Sequence, residues 1–273
     1  MPNWVTNSIT ITCDNDEILN AYFNIIGHQG ESFDFDKIIP MPKELEIPSG
    51  SDTTDGITCV KWFAHPDCPE TSDIIPKMKP EQYVFLLKQL GENQDVDINA
   101  LALEMCKVRK IHRTSHLNEN DPDLAQQDWE GLLQLGKQAC SNAMAYGATD
   151  WYDWCRSNWG TKWNVNQPGS SIIEADGGVW FETAWSAPMP ILHRIVEQLA
   201  STQGLHGTAT IEHRWADEDL GSNCGEQTFT IDFDDTDQNQ MGSISWDMRT
   251  DNDMDYDTAH DFAMNLWGWT DES

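Results

Sequence analysis

Basic residues are scarce in this chain. Its 273 residues include 16 lysines and arginines against 46 aspartates and glutamates, which gives a formal net charge of −30. A charge of this size and sign repels nucleic acid and anionic membranes and favours basic partners. We therefore expect no direct binding to nucleic acid or to a membrane, and we expect a protein partner with a basic surface.

Long apolar runs and paired cysteines are also missing. No run of 18 apolar residues occurs, so no membrane span is expected. The seven cysteines are odd in number and scattered, which indicates free thiols. The opening Met-Pro-Asn-Trp carries no basic region, which argues against export. These features predict a cytoplasmic protein.

Catalytic signatures are absent as well. The chain has no Gly-x-Ser-x-Gly, no phosphate-binding glycine loop and no Cys-x-x-Cys pair. The run at 251–257 mimics the start of a calcium loop, but Tyr256 stands where that loop needs glycine and Phe262 where it needs glutamate. We therefore predict no catalytic residue, no metal site and no cofactor. A metal-dependent enzyme that uses the C-terminal acids stays as an alternative.

Aromatic residues are concentrated at 146–163. Gly147 and Gly160 suit the ends of helices, and Asp150 suits the first turn of a short helix between them. Helical spacing places a tryptophan-rich set on one side of that helix: Trp151, Trp154, Cys155 and Trp159. The set is interpreted either as core or as a recognition surface, because tryptophan and tyrosine are frequent in both. The candidate binding residues of this stretch are Tyr146, Asp150, Trp151, Tyr152, Trp154, Asn158, Trp159, Lys162 and Trp163.

Four stretches of the chain carry a family resemblance. They lie, in order, at 1–7, 33–42, 146–163 and 181–190. Together they resemble the YubB family, which is carried by bacteriophages and conjugative plasmids. The resemblance implies a ferredoxin-like domain, meaning a βαββαβ topology and not an iron–sulfur cluster. It also implies the cytoplasm of a bacterial host, but it supplies no established activity.

The N-terminal part, 1–42, is predicted to be a β–α–β opening. Alternating apolar residues predict a strand at 4–12, and Asp14 or Asp16 can cap a helix that ends at Gly27. The alternation Phe-Asp-Phe-Asp at 33–36 predicts a second strand. The region 43–165 is interpreted as a mostly helical insertion, with helices near 79–90, near 98–109 and from Pro122 to Ala145.

The C-terminal part, 166–273, is predicted to be ferredoxin-like. Strands are expected at 179–185, 208–215, 226–233 and 243–248. One helix is expected to open at Ser186 and Pro188, and a last helix to cover 257–267. This order lacks one strand of the unit, and the strand at 4–12 can supply it. The predicted fold is α+β: a ferredoxin-like antiparallel sheet with helices on one face and a large helical insertion.

Acids are concentrated near the C-terminus. Residues 211–273 contain 17 acids against Arg214 and Arg249, half of the chain's net charge. Duplex DNA carries one charge per ~1.7 Å, so these charges correspond to roughly 25 Å of duplex. The candidate acidic binding residues are Asp217, Glu218, Asp219, Asp232, Asp234, Asp235, Asp237, Asp251, Asp253, Asp255 and Asp257.

The leading hypothesis is a non-enzymatic accessory protein of a mobile element that binds a host or defence protein, with inhibition by DNA mimicry as its sharpest version. Acidity for solubility alone is the plain alternative. Self-association of a structural or regulatory domain through the tryptophan-rich helix is another. The basic segment 107–113 is interpreted as lying against acids of this molecule or a second copy.

Overall fold

The computed structural model of the chain describes residues 2–54, 56–57, 122–166, 169, 171–233 and 241–270. Strands β1 to β5 are Trp4–Cys13, Val179–Ala184, Gly207–Asp217, Gly225–Phe233 and Ser243–Thr250. Helices α1 to α6 are Asp16–Ile26, Phe35–Ile38, Pro122–Tyr146, Trp151–Asn158, Met189–Ala200 and Tyr256–Trp267. The helices predicted near 79–90 and 98–109 lie outside the described residues. In the described part, no helix is both long enough and apolar enough to cross a membrane.

The chain divides into two compact units. The first comprises Met1–Met41 and Cys155–Ser273, and the second comprises Pro42–Trp154. In the second unit, the predicted helix from Pro122 is confirmed as α3. The Asn142 amide Nδ2 donates to the carbonyl oxygens of Glu44 and Thr149, which ties the end of α3 to a segment distant in sequence and to the turn that follows the helix.

A five-stranded antiparallel sheet forms the centre of the first unit. Its strand order is β2-β1-β3-β4-β5. β1 pairs with β2 on one side and with β3 on the other, so the prediction that the N-terminal strand completes the sheet is confirmed. β2 and β3 both run antiparallel to β1 and are joined by α5, which gives a split β-α-β unit. The predicted α+β, ferredoxin-like fold class is confirmed.

One face of the sheet carries α1 and α5, and we call it the inner face. Both helices have an apolar stripe, and their buried residues pack on the sheet or on each other. The stripe of α5 consists of Ile191, Leu192, Ile195, Val196, Leu199 and Ala200. α6 lies at the opposite, outer face, where the guanidinium carbon of Arg214 is 4.7 Å from the ring centroid of Phe262. α6 therefore departs from the expectation that the helices share one face.

The strand predicted at 33–36 is wrong, and with it the β–α–β opening. Phe35–Ile38 is the short helix α2, begun by Asp34, whose carboxylate accepts from the Asp36 amide at 2.9 Å. Phe33 and Phe35 still point into one core, with ring centroids 5.0 and 5.8 Å from that of Phe181. A turn and a strand produce the same apolar–polar alternation over so few residues.

The cap of α1 also differs from the prediction. Asn15, and not Asp14 or Asp16, accepts from the amide of Ile18 at 3.0 Å. The Asp14 carboxylate instead accepts from the amide of Thr208 at 2.8 Å, which fixes the start of β3. Gly27 ends the helix with φ 113°, as the sequence predicted.

A row of buried polar side chains crosses the inner face, one from each of four adjacent strands. We call it the polar row; its members are Thr183, Asn7, His213 and Gln227. His213 Nε2 lies 3.0 Å from Asn7 Oδ1, and Gln227 Nε2 lies 3.1 Å from His213 Nδ1. Asn7 Nδ2 donates to Thr183 Oγ1 at 2.9 Å.

The polar row requires a neutral His213. Because Gln227 donates to Nδ1 and Asn7 Oδ1 accepts from Nε2, the ring carries its single proton on Nε2. Burial, followed by the nearby His193, lowers the pKa of His213 to about 3. The buried imidazole is thus held uncharged at neutral pH, with a partner for each ring nitrogen.

The protonation of His213 should be visible in the pH dependence of the free energy of unfolding. The pKa of His213 is lower in the folded chain than in the unfolded chain, so its contribution is complete above about pH 6.5 and is lost as pH falls towards 3. We expect the stability advantage of the wild type over His213→Gln to shrink below pH 6.5, by at most about 1.4 kcal/mol per pH unit. Urea unfolding of both proteins between pH 4 and 8 measures this difference.

His206→Gln is the matched control, since His206 is exposed. Its unfolding free energy should follow that of the wild type across the same pH range. Equal pH slopes for the wild type and His213→Gln would contradict the neutral, buried state of His213.

Candidate functional site

The four stretches that carry the family resemblance meet at one side of the sheet. Trp159 Nε1 donates to the carbonyl of Ile39 at 2.9 Å, which joins the second and third stretches. Ser186 Oγ donates to the carbonyl of Gly160 at 2.6 Å, and the Trp185 amide donates to that of Asn3 at 3.0 Å. Segments distant in sequence therefore form one local structure.

An aromatic cluster lies where these stretches meet. The Trp4 and Trp163 rings are 6.5 Å apart between centroids. The Lys162 ammonium sits 4.3 Å from the ring centroid of Trp163 and 4.5 Å from that of Trp185. Both distances suit cation–π attraction. The chain thus places its own cation between two indoles.

Two residues with a left-handed backbone lie beside this cluster. Trp185 has φ 74° and Asn223 has φ 45°. The Asn223 amide Nδ2 donates to the Trp185 carbonyl and to Asp217 Oδ2, both at 2.9 Å. Such backbone costs free energy in residues other than glycine and is concentrated at functional sites in proteins. These bonds hold the β3–β4 turn against the residue that follows β2.

Asp217 is the buried carboxylate at the centre of this contact. Its Oδ1 accepts from the Asp219 amide at 2.9 Å, in addition to the bond from Asn223 to Oδ2. Both of its carboxylate oxygens therefore accept hydrogen bonds from other residues of the chain. Among the predicted acidic binding residues that the structure describes, Asp217 is the one that is buried, and it positions the turn.

Two runs of acids meet next to this turn, at 217–219 and 251–257; we call them the acidic end. The backbone N–H of Asn223 donates to Asp251 Oδ2 at 3.3 Å, and the backbone N–H of Asp251 donates to the Cys224 carbonyl at 2.9 Å. These bonds bring the runs together although they are distant in sequence. The exposed acids of the acidic end are Glu218, Asp219, Asp253, Asp255 and Asp257.

Several of these acids also cap backbone. Asp253 accepts from the Thr250 amide at 3.0 Å, and Asp255 accepts from the Thr258 amide at 2.8 Å at the start of α6. The bonds from Thr258 lower the pKa of Asp255. The run that mimics a calcium loop thus forms a turn followed by a helix cap. No group of three potential metal ligands occurs within the described ranges.

The remaining predicted acids are elsewhere. Asp232 lies near the far end of β4, where its carboxylate accepts from the Thr208 hydroxyl at 3.0 Å. At ~3.4 Å per residue, the seven steps along the strand from Gly225 to Asp232 span roughly 24 Å. Asp234, Asp235 and Asp237 lie outside the described residues, as does the basic segment 107–113.

The tryptophan-rich stretch is mainly buried on the predicted side. Trp154, Cys155 and Trp159 are 2–5% exposed. Asp150 starts α4, since its carboxylate accepts from the Tyr152 amide at 3.0 Å. Tyr146 is exposed, and the other candidates are partly exposed: Trp151, Tyr152, Asn158, Lys162 and Trp163.

Asn3, Trp185 and Asn223 belong to this site although no sequence pattern predicted them. Asparagine tolerates a left-handed backbone, and Asn223 lies in a polar turn, so a local signal existed for it. Its bond to Trp185 spans 38 residues and depends on the sheet, so no local pattern reveals it.

Substitutions of Asn223 should separate its side-chain bonds from its backbone conformation. Asn223→Gly keeps the left-handed φ free of strain but loses both side-chain bonds, at a cost of about 1 kcal/mol. Asn223→Ala adds backbone strain, partly offset by a stiffer unfolded chain, and should be a further ~0.5–1 kcal/mol less stable. Urea unfolding of the three proteins tests the order Asn, Gly, Ala.

The same pair of substitutions at Asn24 provides the control, because Asn24 is exposed within α1. There alanine should be more stable than glycine by about 1 kcal/mol. If alanine is also the better residue at 223, the left-handed backbone of Asn223 is not a constraint.

The comparisons with known proteins concern the C-terminal part of the chain. A family model described as a ferredoxin-like domain in Api92-like protein matches residues 158–260. No curated protein and no solved structure matches the chain. The matched range contains β2 to β5 but not β1, which lies inside the sheet. The C-terminal part is therefore a ferredoxin-like domain, and a strand from residues 4–13 completes its sheet.

Proposed function

We propose that this chain is a non-enzymatic accessory protein that binds a basic surface of a host or defence protein through its acidic end. The observation that carries the proposal is the meeting of the acid runs 217–219 and 251–257 at one end of the sheet. Five exposed carboxylates there create a local negative field, which attracts a basic partner and speeds association.

Part of the acidic end is fixed in place, which also favours a binding role. Asp253 and Asp255 are held by backbone amides, and the turn before them is held through Asn223. Charges held in position before binding lose little conformational freedom when a partner arrives. A solvated tail with the same charge lacks this advantage.

The sharper form of the proposal is mimicry of DNA, with a nucleic-acid-binding defence protein as the partner. The net charge of −30 and its concentration near the C-terminus support this form. The setting in a phage or plasmid, and in the cytoplasm of its bacterial host, is supported by the resemblance to the YubB family alone. No feature of the described residues favours a reaction over binding.

Neutralising exposed acids that hold no backbone amide in place should abolish partner binding. In the triple variant Glu218→Gln, Asp219→Asn, Asp257→Asn, the capping acids and Asp217 remain. We expect a basic host protein to be retained from bacterial lysate by the wild type at about 50 mM salt, lost at about 500 mM, and not retained by the variant, because exposed charges are screened by salt. Affinity capture followed by calorimetry on the retained protein measures the effect.

A matched triple variant removes the same number of negative charges at exposed acids outside the acidic end: Glu17→Gln, Glu174→Gln, Glu197→Gln. It should retain the partner at close to the wild-type level. Equal loss in both triple variants would mean that total charge, and not the acidic end, determines binding. Retention by the acidic-end variant would refute the proposed function.

A further inference from the structure

Strand β5 forms one edge of the sheet and is exposed along its length. Every residue from 243 to 249 is exposed, whereas each of the other described strands contains buried residues. Among the described strands, β5 pairs with β4 alone. Its outer edge therefore presents backbone N–H and C=O groups that can pair with another extended chain.

Large apolar side chains line one face of β5. Ile244, Trp246 and Met248 are 41%, 62% and 44% exposed, and we call them the β5 stripe. Trp246 lies opposite Phe229 and Ile244 lies opposite Ile231, so the stripe continues the inner face of the sheet. Phe229 and Ile231 are buried, whereas the stripe beside them is open. An apolar surface of this kind marks an interaction site in many proteins.

The opposite face of the same edge carries acids. Asp247 lies on the outer face of β5, and Asp232 lies on the outer face of β4 opposite Ser243. Arg249 is the only base on β5, and the acids at 251–257 follow it directly. The edge is thus apolar on the inner face, mainly acidic on the outer face, and adjacent to the acidic end.

These charges decide which occupant the edge accepts. A second copy of the chain would bring another −30, and the two copies would repel each other. An extended segment in which apolar and basic side chains alternate would place its apolar side chains against the β5 stripe and its basic side chains near Asp247 and Asp232. A basic protein segment therefore fits this edge better than a second copy does.

We propose that an extended segment of the basic partner adds to β5 as a sixth strand, with its apolar side chains on Ile244, Trp246 and Met248. This inference rests on the function proposed above and names the way in which the partner is bound. In such strand addition, backbone hydrogen bonds supply affinity and the alternate side chains supply selectivity. The acidic end attracts the partner, and β5 fixes the register of its segment.

The test uses a defined probe and the full chain. The probe is an acetylated and amidated octapeptide of alternating lysine and valine with a fluorescent label. We expect it to bind the wild type and to bind Trp246→Thr at least about tenfold more weakly, because a large aromatic contact is lost while strand propensity is kept. Trp180→Thr removes an exposed indole from β2, at the other edge, and should leave binding unchanged.

A second probe tests the backbone pairing itself. The same octapeptide with N-methyl groups on alternate residues cannot donate along one edge, and its Kd should rise by at least about tenfold. Fluorescence polarisation at one salt concentration compares both probes on the wild type, Trp246→Thr, Trp180→Thr and the acidic-end triple variant.

The outcomes separate this inference from the proposed function. If the probe binds Trp246→Thr and the wild type equally but not the acidic-end variant, charge binding stands and strand addition is overturned. If the lysine–valine peptide does not bind the wild type, or binds as tightly when N-methylated, strand addition is likewise overturned. Sedimentation that shows a wild-type dimer dissociated by Trp246→Thr would assign the edge to a second copy and overturn the inference. Strong binding that depends on Trp246 but not on the acids would support strand addition and count against the proposed function.

Discussion

The buried polar row is the interaction on which the first unit depends. Thr183, Asn7, His213 and Gln227 come from four adjacent strands, and each finds its partner only in the observed register. A slip of one residue would turn Asn7 to the outer face and leave the buried His213 without its acceptor. Apolar side chains tolerate such a shift far better than paired polar groups do. The row therefore fixes the N-terminal strand in the middle of a sheet whose other strands are all distant in sequence.

The sequence predicted the elements better than it predicted their contacts. Apolar periodicity located β1, α5 and the C-terminal strands, because those patterns are long enough to separate a helix from a strand. It failed at Phe33 to Asp36, where four residues suit a capped turn and a strand equally well. The sequence shows the acids of both runs but not that the runs meet, and Trp185 and Asn223 likewise meet only through the folded sheet. The predicted division of the chain into the parts 1–42, 43–165 and 166–273 stays a prediction.

The acids of the C-terminal part have two different roles in the structure. Asp217, Asp253 and Asp255 accept hydrogen bonds from backbone amides, so their charge stabilises a turn and the start of α6. Glu218 and Asp257 are exposed and have no such bond to a backbone amide within the described residues. An acidic composition alone cannot separate these roles, because the same residue type serves both. The hydrogen bonds identify which acids can be changed without disturbing the fold.

The position of β1 has a consequence for how the protein is made. Cys13 and Gly207, which end β1 and begin β3, are separated by roughly 200 residues of chain. A ribosome that adds about 5–20 residues per second needs on the order of 10–40 s to cover that distance. For most of this interval β1, with Val5 and Ile9, has no strand to pair with, because β2 is also made late. The sheet can close only late in synthesis, so the nascent chain presents a β-prone apolar segment to chaperones well before its domain exists.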